Sequence, residues 1–433
     1  MNKGIQLYKQ AKNFILGGTM LFSKRPELWL PEHWPSYFSR AKNINVWDLE
    51  GKKYTDMICA VGQSVLGYAN SEIDNEVCSY IKKGNMTSLN CPEEVILAKK
   101  LIKMHPWSGM AKFARSGGEA NAIAIRIARS AAKKDKIAIC GYHGWHDWYL
   151  SANLKKNNLN KHLLPGLLPI GVPKILKNTV YAFNYNDFEA LDRIVRKNDI
   201  GVIKMEVARG SLPNIDFLQN VRRLANKKKI ILIFDECTSG FRRNFGGLHL
   251  ITGVEPDMAM FGKALGNGFA ITAVLGRKKI MDAAAKSFIS STFWTERIGY
   301  IAANATLNIM EREKTWKKLV DSGQFLNKEW KKLSDKYNLN LKISGLEAIT
   351  SFSFKDELNI YLKTFVTQEM LKMNYLAGNL VYITVHHSKK IISEYINSLD
   401  KIFKKIYKIN SVSQIKNLLK GPVCHSSFKR LVD

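Results

Sequence analysis

An acid and an amine, Asp235 and Lys263, each follow a short apolar run of the kind that forms a strand. Ile230-Ile231-Leu232-Ile233-Phe234 leads into Asp235 and Glu236, and Met258-Ala259-Met260-Phe261-Gly262 leads into Lys263 after a turn at Glu255-Pro256-Asp257. Continuous apolar runs of this length predict strands covered on both faces, as in a parallel sheet. In open α/β sheets ligands sit beyond the carboxyl ends of the strands, so this pair can face one crevice. It suits pyridoxal 5'-phosphate: a lysine forms a Schiff base with the aldehyde, and an aspartate keeps the pyridine nitrogen protonated so that the ring acts as an electron sink. The alternative for each residue alone is an exposed strand-end acid and a solvated lysine.

Other residues of the same chemical kind lie upstream. Ser116-Gly117-Gly118-Glu119-Ala120 opens a helical pattern, and bare backbone N–H groups at a helix start make a phosphate site. An ordinary glycine-rich connection reads the same way. Ile137-Ala138-Ile139-Cys140 predicts another buried strand, and Gly141-Tyr142-His143-Gly144-Trp145-His146-Asp147 beyond its end offers aromatic groups to stack on a planar cofactor. The histidines equally suit structural roles, and a zinc site lacks further ligands at sensible spacing. Strand 201–206 ends in Glu206, with Arg209 just beyond as a candidate for a substrate carboxylate or phosphate, or for a surface ion pair. Trp29, Trp34, Trp145, Trp148 and Trp294 fall in expected loops around the crevice, where they fit a bulky substrate or interface packing.

These groups need a scaffold that alternates strands with helices. Helical patterns cover 70–83, 91–104 with Pro92 in a first-turn position, 121–133, 188–196 and 217–226, and 270–276 predicts a further strand. The alternation predicts an α/β fold around a mostly parallel, doubly wound sheet. Residues 1–50 read as an irregular arm leading to a hairpin that turns at Glu50-Gly51, and 151–177 as a loop long enough to be functional. A single long helical pattern over 297–330 leads to a C-terminal α+β unit with strands in 341–353 and a main helix over 389–406. The expected division is 1–55 as arm and part of a small domain, 56–305 as the large domain, and 306–433 as the rest of the small domain.

Composition narrows the partners. In 433 residues no apolar run reaches the roughly 20 needed to span a bilayer, and the start lacks a signal-peptide core, so a soluble cytoplasmic protein with no membrane partner is expected. The six cysteines show no CxxC or zinc spacing, so neither a disulfide framework nor a metal is indicated. The formal charge of +29 is spread along the chain. Without a zinc-finger, RRM or basic-arm pattern it predicts a solvated surface and no nucleic-acid partner, while an anionic small substrate remains compatible with it.

Taken jointly and in order, SGGEA, GYHGWHD, Glu206, DECTSGFR, PDMAMFGKALGNG and STFWTER resemble the class III pyridoxal-phosphate aminotransferases, most of all the glutamate-1-semialdehyde aminomutase-like branch. The resemblance covers nearly the whole chain. It implies the fold type I architecture of aspartate aminotransferase: a large domain, a smaller α+β domain made by both termini, and a homodimer with shared active sites. It also implies roles. Lys263 matches the Schiff-base lysine that shuttles the substrate proton, and Asp235 the partner of the pyridine nitrogen. Ser116, Gly117 and Gly118 match the phosphate turn, although the second glycine position is commonly threonine. Tyr142 matches the aromatic stacked on one ring face and Cys237 falls against the other, with His143 and Thr238 as further cofactor-binding candidates. Thr292 matches the threonine that reaches the neighbouring subunit's phosphate, and Glu206 a carboxylate near the ring, followed here by Val207 instead of proline.

Departures from the aminomutase pattern bear on the substrate. Where that branch has GGVNSPVR this chain has GGTMLFSKR, leaving Lys24 or Arg25 as candidates to hold a substrate carboxylate, with Trp145 and Arg209 as further substrate candidates. The family's gating Phe-Glu-Ala is replaced around Asn379-Leu380. Both changes favour an aminotransferase that moves an amino group from an amino donor to a keto or aldehyde acceptor by a ping-pong mechanism. Intramolecular 2,1-aminomutase chemistry and a non-enzymatic anion-binding protein on the same fold are the alternatives.

Overall fold

Seven strands form the large sheet, in the order Met110–Ala114, Thr272–Gly276, Met258–Phe261, Ile231–Asp235, Ile200–Glu206, Lys136–Cys140 and Val180–Ala182. The five from Met258–Phe261 to Val180–Ala182 pair in parallel, and only Thr272–Gly276 runs against its neighbours. The computed structural model describes residues 2–155, 158–161, 166–208, 214–354 and 358–426. Every residue of Ile200–Glu206, Met258–Phe261 and Thr272–Gly276 is buried, which is why these strands read as continuous apolar runs with no alternation.

Helix Gly117–Ala132 packs on this sheet through Ile123 and Ile127, one turn apart, against a cluster that includes Ile137, Ile139, Val202, Ile233 and Met260. Burying each such side chain stabilises by about 1.5–3 kcal/mol, so Ile139→Ala would loosen the sheet below the site. The helix starts four residues before the 121–133 pattern, because Ser116 caps it: its Oγ accepts from the Glu119 N–H at 3.3 Å while Glu119 accepts from the Ser116 N–H at 2.8 Å. Pro92 takes the first position of Pro92–Met104 as predicted.

The chain divides into two compact units, residues 71–316 holding this sheet and residues 1–70 with 317–433 forming the other. The changeovers thus lie after 70 and 316, against expected ones after 55 and 305. The long pattern over 297–330 is two helices, Arg297–Glu313 and Thr315–Lys336, separated by Lys314 in the left-handed region at φ 50°. Residues 151–177 include short 3-10 turns at Ser151–Asn153, Asn158–Lys161 and Lys174–Leu176 among the described residues.

The unit made of both termini carries two antiparallel-based sheets, one of Phe38–Lys42, Asn45–Asp48, Lys53–Asp56 and Tyr375–Leu376, the other of Lys342–Leu346, Ile349–Ser353 and Leu380–Tyr382. The expected irregular arm begins instead with a helix, Lys3–Ala11, capped by Asn2 Oδ1 on the Ile5 N–H at 3.3 Å. Trp29 and Trp34 lie in a core of this unit and not in a surface loop: their rings stack at 5.5 Å inside a buried cluster with Leu30, Tyr54 and Ile58. Helix Lys389–Ile406 matches the predicted span and buries Ile392, Ile396, Leu399, Ile402, Phe403 and Ile406.

Candidate active site

Parallel pairing brings the carboxyl ends of Lys136–Cys140, Ile200–Glu206, Ile231–Asp235 and Met258–Phe261 to one edge of the large sheet. Ala114 lies across from Thr272, so the strand that leads into Ser116 ends at the same edge. Residues 116–118, 141–147, Glu206, Asp235 to Thr238 and Lys263 are therefore assembled by topology from five separate stretches of sequence.

Asp235 is the electrostatic centre of this edge. It is 4% exposed, its Oδ2 lies 3.0 Å from His143 Nδ1 and 3.6 Å from Lys204 Nζ, and its Oδ1 accepts from the Cys237 N–H at 3.1 Å. Burial pushes its affinity for a proton up, but the Lys204 charge and the His143 hydrogen bond outweigh burial and hold the carboxyl well below the usual range. Asp235 is thus a buried carboxylate whose surroundings favour the ionised form. His143 faces acceptors on both sides, with Nε2 3.2 Å from the Cys140 carbonyl, but burial and then the Lys204 cation depress its affinity for a second proton. Its single proton therefore belongs on Nδ1, donated to the charged oxygen.

Lys263 begins a 3-10 turn, Lys263–Leu265, with its own backbone in the left-handed region at φ 44°. Its Nζ donates to Thr238 Oγ1 at 3.0 Å, and the Thr238 carbonyl in turn accepts from Nε of the buried Arg242 at 2.6 Å. Cys237, directly after the Asp235-Glu236 pair, has a thiol pushed well up by burial and by the Asp235 charge, so it serves as an apolar neighbour and not as a nucleophile. Below this layer Glu236 is tied to His249, which accepts from the Trp107 indole N–H at 2.8 Å, a buried polar chain that fixes the loop after the strand.

The 141–147 segment closes over the helix start. The Tyr142 N–H donates to Glu206 Oε2 at 2.9 Å, and a Cβ on Gly141, at φ 107°, would stand 2.7 Å from that oxygen, so the approach requires glycine. A Cβ on Gly117 would meet nothing within 4 Å, whereas one on Gly118 would stand 2.7 Å from His146 Cε1 and 3.3 Å from Trp145 Nε1. His146 fills the space a threonine would need. Its Nδ1 is buried and has no hydrogen-bond partner among the described residues. Trp145 stacks on His146 at 4.4 Å and is 69% exposed, while Trp148 is buried in the core. Thr292 opens the exposed 3-10 turn Thr292–Thr295, where the Trp294 indole donates to Glu119 Oε1 at 3.0 Å. Lys24 and Arg25 belong to the other unit, and Arg209 lies outside the described residues.

Lys204 and Arg242 were not singled out by type and spacing. For Lys204 a signal existed, a lysine in the middle of the apolar run Gly201-Val202-Ile203-Lys204-Met205.

The solved structure of the PLP internal aldimine form of the FumI protein of Sphingopyxis sp. MTA144 superposes with a TM-score of 0.85 at 24% identity, covering 95% of this chain and 99% of that one. The fold is therefore that of the fold type I transaminases. Residues 31–403 match the family described as Aminotransferase class-III. The chain belongs to this family, which is pyridoxal-phosphate-dependent. Among its relatives, the 3-aminobutyryl-CoA aminotransferase of Cloacimonas acidaminovorans is 35% identical over 83% of this chain and 86% of its own length. The glutamate-1-semialdehyde 2,1-aminomutase of Wigglesworthia glossinidia brevipalpis is 32% identical over 92% and 97%. No helix among the described residues is long and apolar enough to cross a membrane.

Proposed function

We propose that this chain transfers an amino group between two separate small molecules, a donor amine and a keto or aldehyde acceptor, at the sheet edge that holds Asp235 and Lys263. The observation that carries this is the ionised Asp235 on the strand adjacent to the one that ends before Lys263. Pyridoxal phosphate, when bound, supplies an electron-withdrawing ring that stabilises negative charge on a substrate carbon. The residues fit such a group. Asp235 supplies buried negative charge for a ring nitrogen, the open Gly117 and the start of its helix supply N–H groups for a phosphate, and the unpartnered His146 Nδ1 stands beside them.

Each side chain then has a definable task. Lys263 Nζ would anchor the cofactor aldehyde and, once displaced by the donor, take and return the proton at the substrate carbon, with Thr238 Oγ1 orienting it. Tyr142 and Cys237 would bracket the ring, and Glu206 would set the segment that carries Tyr142 through its hydrogen bond to the backbone. Thr292 would reach the phosphate of a partner subunit. The exposure of Thr292 beside Phe288 and Phe293, 85% and 67% exposed, supports a homodimer with this region at the interface. Transfer within one molecule is the activity named for the Wigglesworthia relative, and Asn379-Leu380 in place of the gating Phe-Glu-Ala weighs against it here.

The test is spectroscopic. The loaded protein should show a visible absorbance band that a suitable donor amine bleaches with release of one keto product per site, and Lys263→Ala should have no such band. An unchanged spectrum in Lys263→Ala would remove the lysine from its role. A product formed from one substrate alone, with no second molecule consumed, would replace intermolecular by intramolecular transfer.

A further inference from the structure

A lysine inside a sheet requires a partner. Lys204 is 0% exposed and lies between buried Ile203 and Met205 on Ile200–Glu206. Among the described residues its Nζ is 3.6 Å from Asp235 Oδ2 and 2.9 Å from Met260 Sδ. A thioether is a weak acceptor, so Asp235 is the group that stabilises an ammonium here. The titratable groups facing it are Asp235, Cys237, Glu206 and His143. Burial favours the neutral amine and Asp235 opposes it.

In the reading proposed above, on which this inference rests, Asp235 must also serve the ring nitrogen of the cofactor. Two cations then compete for one carboxylate. The Lys204 ammonium and the His143 N–H both meet Oδ2, leaving Oδ1, already accepting from the Cys237 N–H, for anything at the sheet edge. We propose that Lys204 is a buried counter-charge that shares Asp235 with the ring nitrogen and leaves that nitrogen a weaker base than Asp235 with His143 alone would. Lys204 touches no reacting atom and acts through Asp235, so it is a positioning residue. Its effect is to temper the electron sink by lowering the ring nitrogen's affinity for its proton.

A buried unit charge that acts on a base through one shared carboxylate shifts its proton affinity by roughly one to two pH units. The experiment loads the wild type, Lys204→Met and Lys204→Gln with pyridoxal phosphate carrying nitrogen-15 in the ring, and follows the ring-nitrogen resonance against pH. The wild-type nitrogen should lose its proton roughly one to two pH units below both variants. Identical titrations in all three proteins would overturn the proposal, because a side chain that only fills the sheet would alter stability and not this resonance. Lys204→Gln keeps a polar side chain in the sheet where Lys204→Met does not, so either variant that folds supplies the comparison. Failure of the wild type to bind the labelled cofactor at all would instead defeat the proposed function, a separate outcome read before any titration.

Discussion

Two aspartates in this molecule occupy the same local position and behave in opposite ways. Asp235 and Asp56 are each the last residue of a strand, each is buried, and each accepts the backbone N–H two residues on. Asp56 Oδ1 accepts from the Ile58 and Cys59 N–H groups at 2.7 and 3.0 Å, and its Oδ2 from the Tyr68 hydroxyl at 2.6 Å. Those donors are neutral, and burial prevails: Asp56 is pushed above the ordinary carboxylate range, with Tyr68, the backbone and, least, the Lys24 charge only partly opposing. Asp235 has Lys204 and His143 beside it and is pushed below. Burial sets the size of the stakes, and a neighbouring cation decides the direction. Asp56 clamps a strained turn, since Cys59, Ala60 and Val61 all have left-handed backbones. Asp235 holds a charge.

The sharpest way to break this contrast is Asp235→Asn. It should slow the amino-donor half-reaction by orders of magnitude in stopped flow, and cost about 3 kcal/mol in denaturant unfolding because Lys204 loses its anion. Adding Lys204→Met should restore most of the stability and none of the rate. A single variant that reacts at the wild-type rate would show that Asp235 does no more for chemistry than Asp56.

A smaller effect lies in the pH dependence of stability. Asp235 binds its proton more weakly in the folded chain, so its contribution is present above the unfolded carboxylate value of about 3.9 and is lost as pH falls through the folded value. Asp56 binds its proton more tightly when folded, so stability declines as pH rises from about 3.9 towards its raised folded value. Asp56→Asn should abolish that decline, which amounts to about 1.4 kcal/mol for every pH unit between the unfolded and folded values, when unfolding is measured across the acid range. An Asp56→Asn curve parallel to wild type would mean that the carboxylate is ionised after all.

Two finer substitutions test the neutral donors. Tyr68→Phe should destabilise by about 1 kcal/mol and carry the pH decline further up, since it removes the hydroxyl that partly favours the ionised form. In the unit that holds the large sheet, Ser116→Ala should cost about 1 kcal/mol as a lost helix cap, measured by thermal unfolding, while leaving the Asp235 titration unchanged.

The difference between these aspartates was half legible in the sequence. Asp235 stood out because an apolar run long enough for a buried strand ends on it, and Lys263 for the same reason. The parallel sheet followed from those runs and from the helices between them. Lys204 was hidden because a polar residue within a strand ordinarily signals exposure, and only the register of Ile200–Glu206 against Ile231–Asp235 brings it under the carboxylate. His146 over Gly118 is likewise a tertiary fact, since nothing local links residues so far apart. The break at Lys314 escaped detection because the apolar spacing continues past it while the backbone reverses hand. Trp29 and Trp34 misled because proline-rich surroundings suggest a surface loop, yet both rings lie in a core.

Lys263 has a backbone conformation at φ 44° that a residue with a Cβ adopts at a cost of about 1–2 kcal/mol, and that glycine or asparagine adopts readily. Lys263→Gly should therefore melt at a higher temperature than Lys263→Ala while both lack activity. For lineages, the consequence is a ratchet. A descendant released from selection for chemistry would gain stability by exchanging this lysine, and each such gain would make return harder. At this bend the chemistry and the backbone pull in opposite directions, so loss of the one would be rewarded by relief of the other.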